Sequence, residues 1–202
     1  MFELDNRRAN NLHQALLDLS APEETHISLP FFEEDEITQM CQDTKGLTFR
    51  AATPVVGNKV HQDMQVCFPA PRIASFALCA DLIEQGVNGW IQRPDFIKEP
   101  LSLNDFAVQN YHAGSKGIGI HKDGLRYKYL VFIITLKGQS RLFSTPSRDG
   151  EERTAIDDRP GRLVMIKAPD FAGFDADARL LHGVDEITDG RLSIGFRHEV
   201  LA

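Results

Sequence analysis

The chain has 202 residues, a length that suits one domain with a sizeable hydrophobic core. Its formal net charge of -7 disfavours diffuse binding to phosphate backbones and to anionic membranes, and no apolar run reaches the length of a membrane helix. The first residues do not resemble a secretory signal and the three cysteines lack metal-site spacing, so we expect a cytoplasmic protein.

The N-terminal half of the chain predicts a mixed, largely helical region. Hydrophobic spacing indicates two short helices over residues 10–19 and 33–43, and a strand over residues 26–32. A clearer helix starts at Pro71 and ends at Gly86, because proline suits the first turn of a helix and glycine suits its end. We expect residues 1–100 to form a helical and lid-like part of a single domain that covers residues 1–202.

From Leu101 onward the sequence changes to short β-rich runs separated by turn residues. These runs cover residues 103–112, 116–123, 127–138, 140–146, 161–169, 178–184 and 191–200. A helical layer followed by many short strands predicts a mainly-β (α+β) fold, in which two antiparallel sheets form a jelly roll and the helices pack outside. We expect residues 101–200 to form the jelly-roll core.

A histidine and an aspartate two residues apart form the first candidate site. Residues i and i+2 of a strand project from the same face, so we expect His121 and Asp123 to point together into the sheet interior. His182 lies in a later apolar run, which a jelly roll can bring beside an earlier strand. Two imidazoles and one carboxylate on one side of a metal are typical of non-haem Fe(II) oxygenases, so we predict an iron site.

A second H-x-D triplet, formed by His61 and Asp63, shows how weak the pattern is by itself. This triplet leads into the predicted helix that starts at Pro71 and not into further strands. Short triplets of this kind arise often by chance. We therefore interpret His61 and Asp63 as surface or structural residues.

The run RLSIGFR places two basic side chains on one face of a strand. The residues that share this face are Arg191, Ser193, Gly195 and Arg197. A guanidinium pairs bidentately with a carboxylate, so the face is suited to bind a dicarboxylate. Alternatively, the two arginines form ordinary ion pairs with acids nearby in the sequence. The acids considered for these pairs are Asp185, Glu186, Asp189 and Glu199.

Gln109 and Tyr111 share one face of the strand that precedes the H-x-D triplet. Each side chain has the groups needed to hydrogen-bond a carboxylate. Each is equally suited to satisfy neighbouring backbone groups, so these two residues support the dicarboxylate hypothesis without deciding it.

Together, HKD, LLHGV and RLS resemble the motifs of the Fe(II)/2-oxoglutarate-dependent oxygenase superfamily, whose jelly roll (double-stranded β-helix) carries H-x-D, a distal histidine and a following arginine. The runs QNYHAGSKGIGIHKD and RLSIGFR are most similar to its AlkB-like branch. The resemblance covers residues 101–199. Residues 59–85 resemble the lid strands and the following helix of that branch only loosely.

The resemblance implies that His121, Asp123 and His182 bind Fe(II), with 2-oxoglutarate and O2 as cosubstrates. It implies that Arg191 pairs with the distal carboxylate of 2-oxoglutarate and that Arg197 lies near the keto-acid end. The residues expected to assist are Tyr111, Ser193 and Gln109. The implied reaction is hydroxylation or oxidative dealkylation with release of succinate and CO2, and the presence of Asp123 disfavours halide transfer.

Two departures from the branch bear on the substrate. Gln109 stands where the branch has asparagine, and GLRYKY follows the H-x-D triplet where the alkyl-base repair enzymes carry an acidic residue. We expect Arg126 and Tyr127 to contact a different substrate, and the acidic charge favours a small molecule, an amino-acid derivative or a peptide. Oxidative demethylation of alkylated nucleobases is the alternative. A cupin-type or non-catalytic ligand-binding jelly roll is the weaker alternative, because it leaves Arg191 unexplained.

Overall fold

The protein is described by a computed structural model that covers residues 2–52, 60–90 and 96–200. The helices in these ranges are α1 (Asn6–Leu19), α2 (Glu34–Asp43) and α3 (Ala74–Trp90). The first strands are β1 (His26–Pro30), β2 (Arg50–Ala51), β3 (Gln62–Asp63), β4 (Gln65–Cys67), β5 (Asp105–Tyr111) and β6 (Gly117–His121). The remaining strands are β7 (Tyr127–Gly138), β8 (Arg141–Thr145), β9 (Thr154–Ile156), β10 (Arg162–Lys167), β11 (Leu181–Asp185) and β12 (Arg191–Glu199).

The strands form two antiparallel sheets packed face to face. The larger sheet has the order β1-β10-β7-β12-β5-β4-β2, and the smaller sheet has the order β3-β6-β11-β8-β9. Strands distant in sequence are neighbours in both sheets, as a jelly roll requires. The mainly-β jelly roll predicted from the sequence is confirmed.

Two apolar layers hold this arrangement together. The outer layer lies between the larger sheet and the helices, and its fully buried members include Leu16, Phe76, Ile83, Phe132 and Phe196. The inner layer lies between the two sheets and includes Val131, Leu142, Val164, Ile166 and Val184. Both faces of the larger sheet are therefore buried, which leaves the side chains of its central strands little access to water.

Two local differences from the sequence prediction have clear physical reasons. Helix α3 begins at Ala74 and continues through Gly86, where the sequence predicted its end. A Cβ at Gly86 would lie 2.5 Å from the Leu12 side chain of α1, so this glycine permits close helix packing. Strand β9 was not predicted, because three residues are too few to show an alternating pattern.

The pairing of β6 with β11 contains a β-bulge that determines where β6 points its side chains. His121 lies opposite His182 and Ile118 lies opposite Val184, so two residues of β6 oppose one residue of β11. The extra residue reverses the alternation along β6. Ile118 and His121, which are three residues apart, consequently both line the cavity between the sheets.

The expected lid in residues 51–70 is described only in part, since residues 53–59 lie outside the described ranges. In the described part, β3 pairs with β6 of the smaller sheet and β4 pairs with β5 of the larger sheet. This segment therefore crosses from one sheet to the other beside β6. Among the described residues, no helix has the length and apolar character needed to cross a membrane.

Gly117 is the residue that permits the tight start of β6, which gives a stability prediction. Its φ is +76°, and a Cβ there would lie 1.8 Å from the Val184 carbonyl oxygen of β11. We expect Gly117→Ala to lower the free energy of unfolding by about 3 kcal/mol or more, because it combines left-handed strain with a backbone clash. Urea denaturation measures this change. Gly89→Ala is the matched control, since a Cβ at Gly89 has no atom within 4 Å; equal stability losses in both variants would contradict the assignment.

Candidate metal centre

The strand register brings His121 and His182 together. They are directly opposed on the antiparallel pair β6 and β11, and their ring centroids lie 4.4 Å apart. Strand β6 ends at His121, so Asp123 lies in the segment after the strand. The expectation that Asp123 shares a strand face with His121 is wrong in this detail. The turn after β6 nevertheless brings the Asp123 carboxylate to 3.6 Å from His182 Nε2.

The three side chains form a group that could hold a metal ion. One ligand atom from each of His121, Asp123 and His182 lies within 4.8 Å of the others. Ligands bound at about 2.1 Å from a metal at right angles are about 3 Å apart, so small side-chain movements suffice to close the site. The second H-x-D triplet, His61 and Asp63, is not part of this group: Asp63 Oδ2 accepts a hydrogen bond from the Lys116 backbone N–H.

Both imidazoles present their Nε2 atoms for coordination. His121 Nδ1 lies 2.8 Å from the Gly119 carbonyl oxygen, and His182 Nδ1 lies 3.2 Å from the Leu180 carbonyl oxygen. A carbonyl only accepts, so Nδ1 carries a proton in each ring, and the neutral form of each ring has its lone pair on Nε2. Burial and the neighbouring His182 lower the pKa of His121 to about 4, which keeps its ring neutral near pH 7.

Asp123 has a buried oxygen with no partner. Its Oδ2 accepts no hydrogen bond from any described residue. Burial alone would raise the pKa of Asp123, but His182 and Arg197 outweigh it and hold that pKa below its ordinary value. A buried, ionised carboxylate oxygen with no donor is costly unless a cation fills the gap. The donor set therefore fits a divalent metal such as Fe(II).

Strand β12 divides its side chains between the two apolar layers. Ile194 and Phe196 face the helices, whereas the alternate residues face the space between the sheets. Arg191 is 2% exposed and lines the same cavity as the histidine pair. The alternative, in which the two arginines pair with nearby acids at positions 185–199, is wrong. Arg191 pairs with Asp158, and Arg197 pairs with Asp105.

The two candidate hydrogen-bonding residues on β5 lie beside β12. Tyr111 is the Cα partner of Arg191, and Gln109 is the Cα partner of Ser193. The Ser193 hydroxyl lies 3.5 Å from Gln109 Oε1. Burial raises the pKa of Tyr111 to about 12, so the phenol stays protonated and able to donate. Tyr111 and Gln109 both line the cavity.

Arg197 links the candidate metal ligands to a buried acid. Its Nε lies 3.7 Å from Asp123 Oδ1, and its NH1 donates to Asp105 Oδ1 over 3.1 Å. The Tyr127 ring lies beneath this guanidinium at 5.1 Å, and the Tyr127 hydroxyl lies 3.2 Å from Asp105 Oδ2. Tyr127 is buried against Arg197, and its expected contact with substrate stays a prediction.

The Arg126 guanidinium also lies near the Tyr127 ring, 4.8 Å from its centroid. It also pairs with Glu199 at 3.0 Å. The side chain is 54% exposed, so it is accessible from outside the cavity. Its role as a substrate contact stays a prediction.

Three residues with roles at this site were missed by the sequence analysis. Asp158 pairs with Arg191, Asp105 pairs with Arg197, and Arg179 donates to the Asp123 backbone carbonyl. Asp105 is the Cα partner of Arg197 and has the same parity on β5 as Gln109 and Tyr111, so strand alternation could have indicated it. Asp158 and Arg179 lie outside the strands and belong to no motif. Only the folded topology brings them to the site.

No protein-family model and no curated protein sequence matches this chain. Solved structures do resemble it. A prolyl hydroxylase in complex with a hypoxia-inducible factor peptide fragment, from Trichoplax adhaerens, aligns with a TM-score of 0.67 at 12% identity, covering 98% of this chain and 94% of that one. A Pseudomonas putida prolyl-4-hydroxylase aligns with a TM-score of 0.61 at 17% identity, covering 94% and 100%.

The structure of OsALKBH1 is similar to the same degree, with a TM-score of 0.61 at 16% identity, covering 87% of this chain and 97% of that one. At such low identity these similarities establish the fold alone. This chain therefore has the double-stranded β-helix fold of 2-oxoglutarate oxygenase structures, as its motifs implied.

The convergence of three ligands gives a metal-binding prediction. We expect Mn(II), a redox-stable probe, to raise the midpoint of thermal unfolding, since a ligand at about 100 times its Kd adds about 2.7 kcal/mol of stability. His182→Ala should abolish this shift. His61→Ala is the matched control because it removes the histidine of the other H-x-D triplet, and it should keep the shift. Equal shifts in both variants would place the metal elsewhere.

Proposed function

We propose that this chain is an Fe(II)- and 2-oxoglutarate-dependent dioxygenase acting through residues 1–202 as one catalytic domain. The observation that carries the proposal is the convergence of His121, Asp123 and His182 on a cavity that Arg191 also lines. A cupin-type or ligand-binding jelly roll accounts for a metal group but gives no reason for a buried guanidinium facing it.

The metal ligands come from one side of the cavity. His121 and His182 direct Nδ1 at backbone carbonyls and so leave Nε2 for a metal, and Asp123 offers a carboxylate oxygen with no hydrogen-bond partner among the described residues. These three residues would hold Fe(II) from one face. Bound there, Fe(II) would supply oxidation by O2 of the keto acid to succinate and CO2, coupled to oxidation of a substrate C–H bond.

The remaining cavity residues bind and orient the cosubstrate. Arg191 offers a permanent positive charge to the distal carboxylate, with Tyr111, Ser193 and Gln109 as hydrogen-bonding neighbours. Arg197, next to Asp123, suits the keto-acid end. Apolar side chains form the rest of the wall and exclude water, namely Ile118, Val131, Ile133, Leu142 and Val184.

For the substrate we propose a small molecule, an amino-acid derivative or a peptide, which the enzyme hydroxylates or oxidatively dealkylates. The net charge of -7 opposes attraction to a phosphate backbone. The similarity to a prolyl hydroxylase that holds a peptide fragment supports this class. The similarity to OsALKBH1 and the AlkB-like motifs support demethylation of alkylated nucleobases as the second candidate. An enzyme of that kind can bind one extruded base with little backbone contact.

The cosubstrate assignment predicts an optical signal. Anaerobic addition of Fe(II) and 2-oxoglutarate should produce the weak visible charge-transfer band of a chelated keto acid. Arg191→Ala should raise the half-saturating 2-oxoglutarate concentration roughly 100-fold, since loss of a buried charge partner costs about 2–5 kcal/mol, and should retain the Mn(II)-dependent thermal shift. Arg7→Ala, in an exposed ion pair on α1, is the matched control. An unchanged half-saturation in Arg191→Ala would refute the role of this arginine.

The substrate class predicts which compounds stimulate turnover. Succinate release should rise above its uncoupled rate with a member of a panel of amino acids, aromatic acids and peptides. Methylated oligonucleotides at physiological salt should leave the rate unchanged. Stimulation by the oligonucleotides alone would establish the nucleobase alternative instead.

A further inference from the structure

Arg191 forms an ion pair with a buried carboxylate of the protein, that of Asp158. Its NH1 donates to Asp158 Oδ2 and, over 2.9 Å, to Ser140 Oγ. Asp158 belongs to the loop between β9 and β10, and both charged side chains are buried, at 2% and 8% exposure. The positive charge expected to bind the cosubstrate is therefore already balanced by the protein.

Two nitrogen atoms of the Arg191 guanidinium, NH1 and Nε, differ in their hydrogen bonding. NH1 is engaged by Asp158 and Ser140, whereas the buried Nε has no hydrogen-bond partner among the described residues. The same side chain lines the cavity with His121 and His182. Arg191 thus lies between a carboxylate of the chain on one side and a space that, on the proposed function, receives a carboxylate of the keto acid.

Asp158 also accepts a hydrogen bond from a second buried side chain. Thr135 Oγ1 donates to the same Oδ2 atom over 2.7 Å. The free volume of the cavity is about 30 Å³, room for roughly a water or two, so a five-carbon keto acid has to displace side chains. An incoming dianion therefore meets an arginine whose charge is already paired with Asp158.

We propose that Asp158 competes with the distal carboxylate of 2-oxoglutarate for Arg191 and so limits the affinity of the protein for this cosubstrate. This inference rests on the proposed function. Two carboxylates share one guanidinium in the bound state, and their repulsion in a water-poor cavity lowers the affinity for the cosubstrate. Asp158 thereby sets the 2-oxoglutarate concentration at which the enzyme becomes half saturated.

The test compares Asp158→Asn with Asp157→Asn by calorimetric titration of the Mn(II)-loaded proteins. Asparagine keeps the size of Asp158 and removes its charge. Asp157 is the matched control because it is adjacent and pairs with Arg159 and Arg162 instead of Arg191. We expect Asp158→Asn to bind 2-oxoglutarate about tenfold more tightly than the unaltered protein, a typical size for coupling between neighbouring sites. Asp157→Asn should be unchanged.

Pyruvate separates competition at Arg191 from a general structural effect. It has the same chelating end as 2-oxoglutarate but no distal carboxylate, so Asp158→Asn should bind it no more tightly than the unaltered protein does. If Asp158→Asn is less stable because Arg191 is left uncompensated, its melting temperature with and without 2-oxoglutarate provides a second measurement, and it should rise more than that of the unaltered protein. Asp158→Ser, a second neutral variant, should show the same direction.

The outcomes distinguish this inference from the proposed function. Binding of 2-oxoglutarate by the unaltered protein, with no tightening in either neutral variant, overturns the role of Asp158 and leaves the oxygenase assignment in place. Equal tightening for pyruvate and 2-oxoglutarate also overturns it. Failure of all the Mn(II)-loaded proteins to bind 2-oxoglutarate overturns both.

Discussion

Charged side chains lie between two apolar sheets, where little water reaches them, so each needs a partner of opposite charge inside the protein. Arg197 is shared by Asp105 and Asp123, while Arg191 is held by Asp158. Asp123 Oδ2 nevertheless accepts no hydrogen bond from the described residues, and a divalent cation beside it would supply the missing partner.

The alternation of β12 makes this charged layer compatible with a stable core. One face of the strand carries Ile194 and Phe196 into the layer beneath the helices, and the other carries Arg191 and Arg197 into the inter-sheet space. A shift of one residue in register would bury the arginines against the helices. The helices therefore contribute to the site indirectly, since their apolar contacts fix which face of β12 points inward.

The sequence was sufficient for the fold class and for the grouping of His121, Asp123 and His182, because alternation and motif spacing are local signals. It was insufficient where a position depends on packing between distant segments. Gly86 looked like a helix end because its close contact with α1 leaves no mark on the sequence. Asp158 was overlooked for the same reason: it lies in the loop between β9 and β10, far in sequence from Arg191 on β12, and only folding brings the two together.

Strand β12 is hydrogen-bonded on both sides, to β5 and to β7, whereas Asp123 lies beyond the end of β6. Backbone inside a central strand opens only in the rarest fluctuations of a protein, and backbone beyond a strand end opens far more often. Arg191 is thus held by a central strand, whereas Asp123 lies on backbone that opens more readily. On the proposed function, the side chain expected to bind the distal carboxylate is the more rigidly held of the two, and Asp123 has more freedom to adjust its distance to a metal.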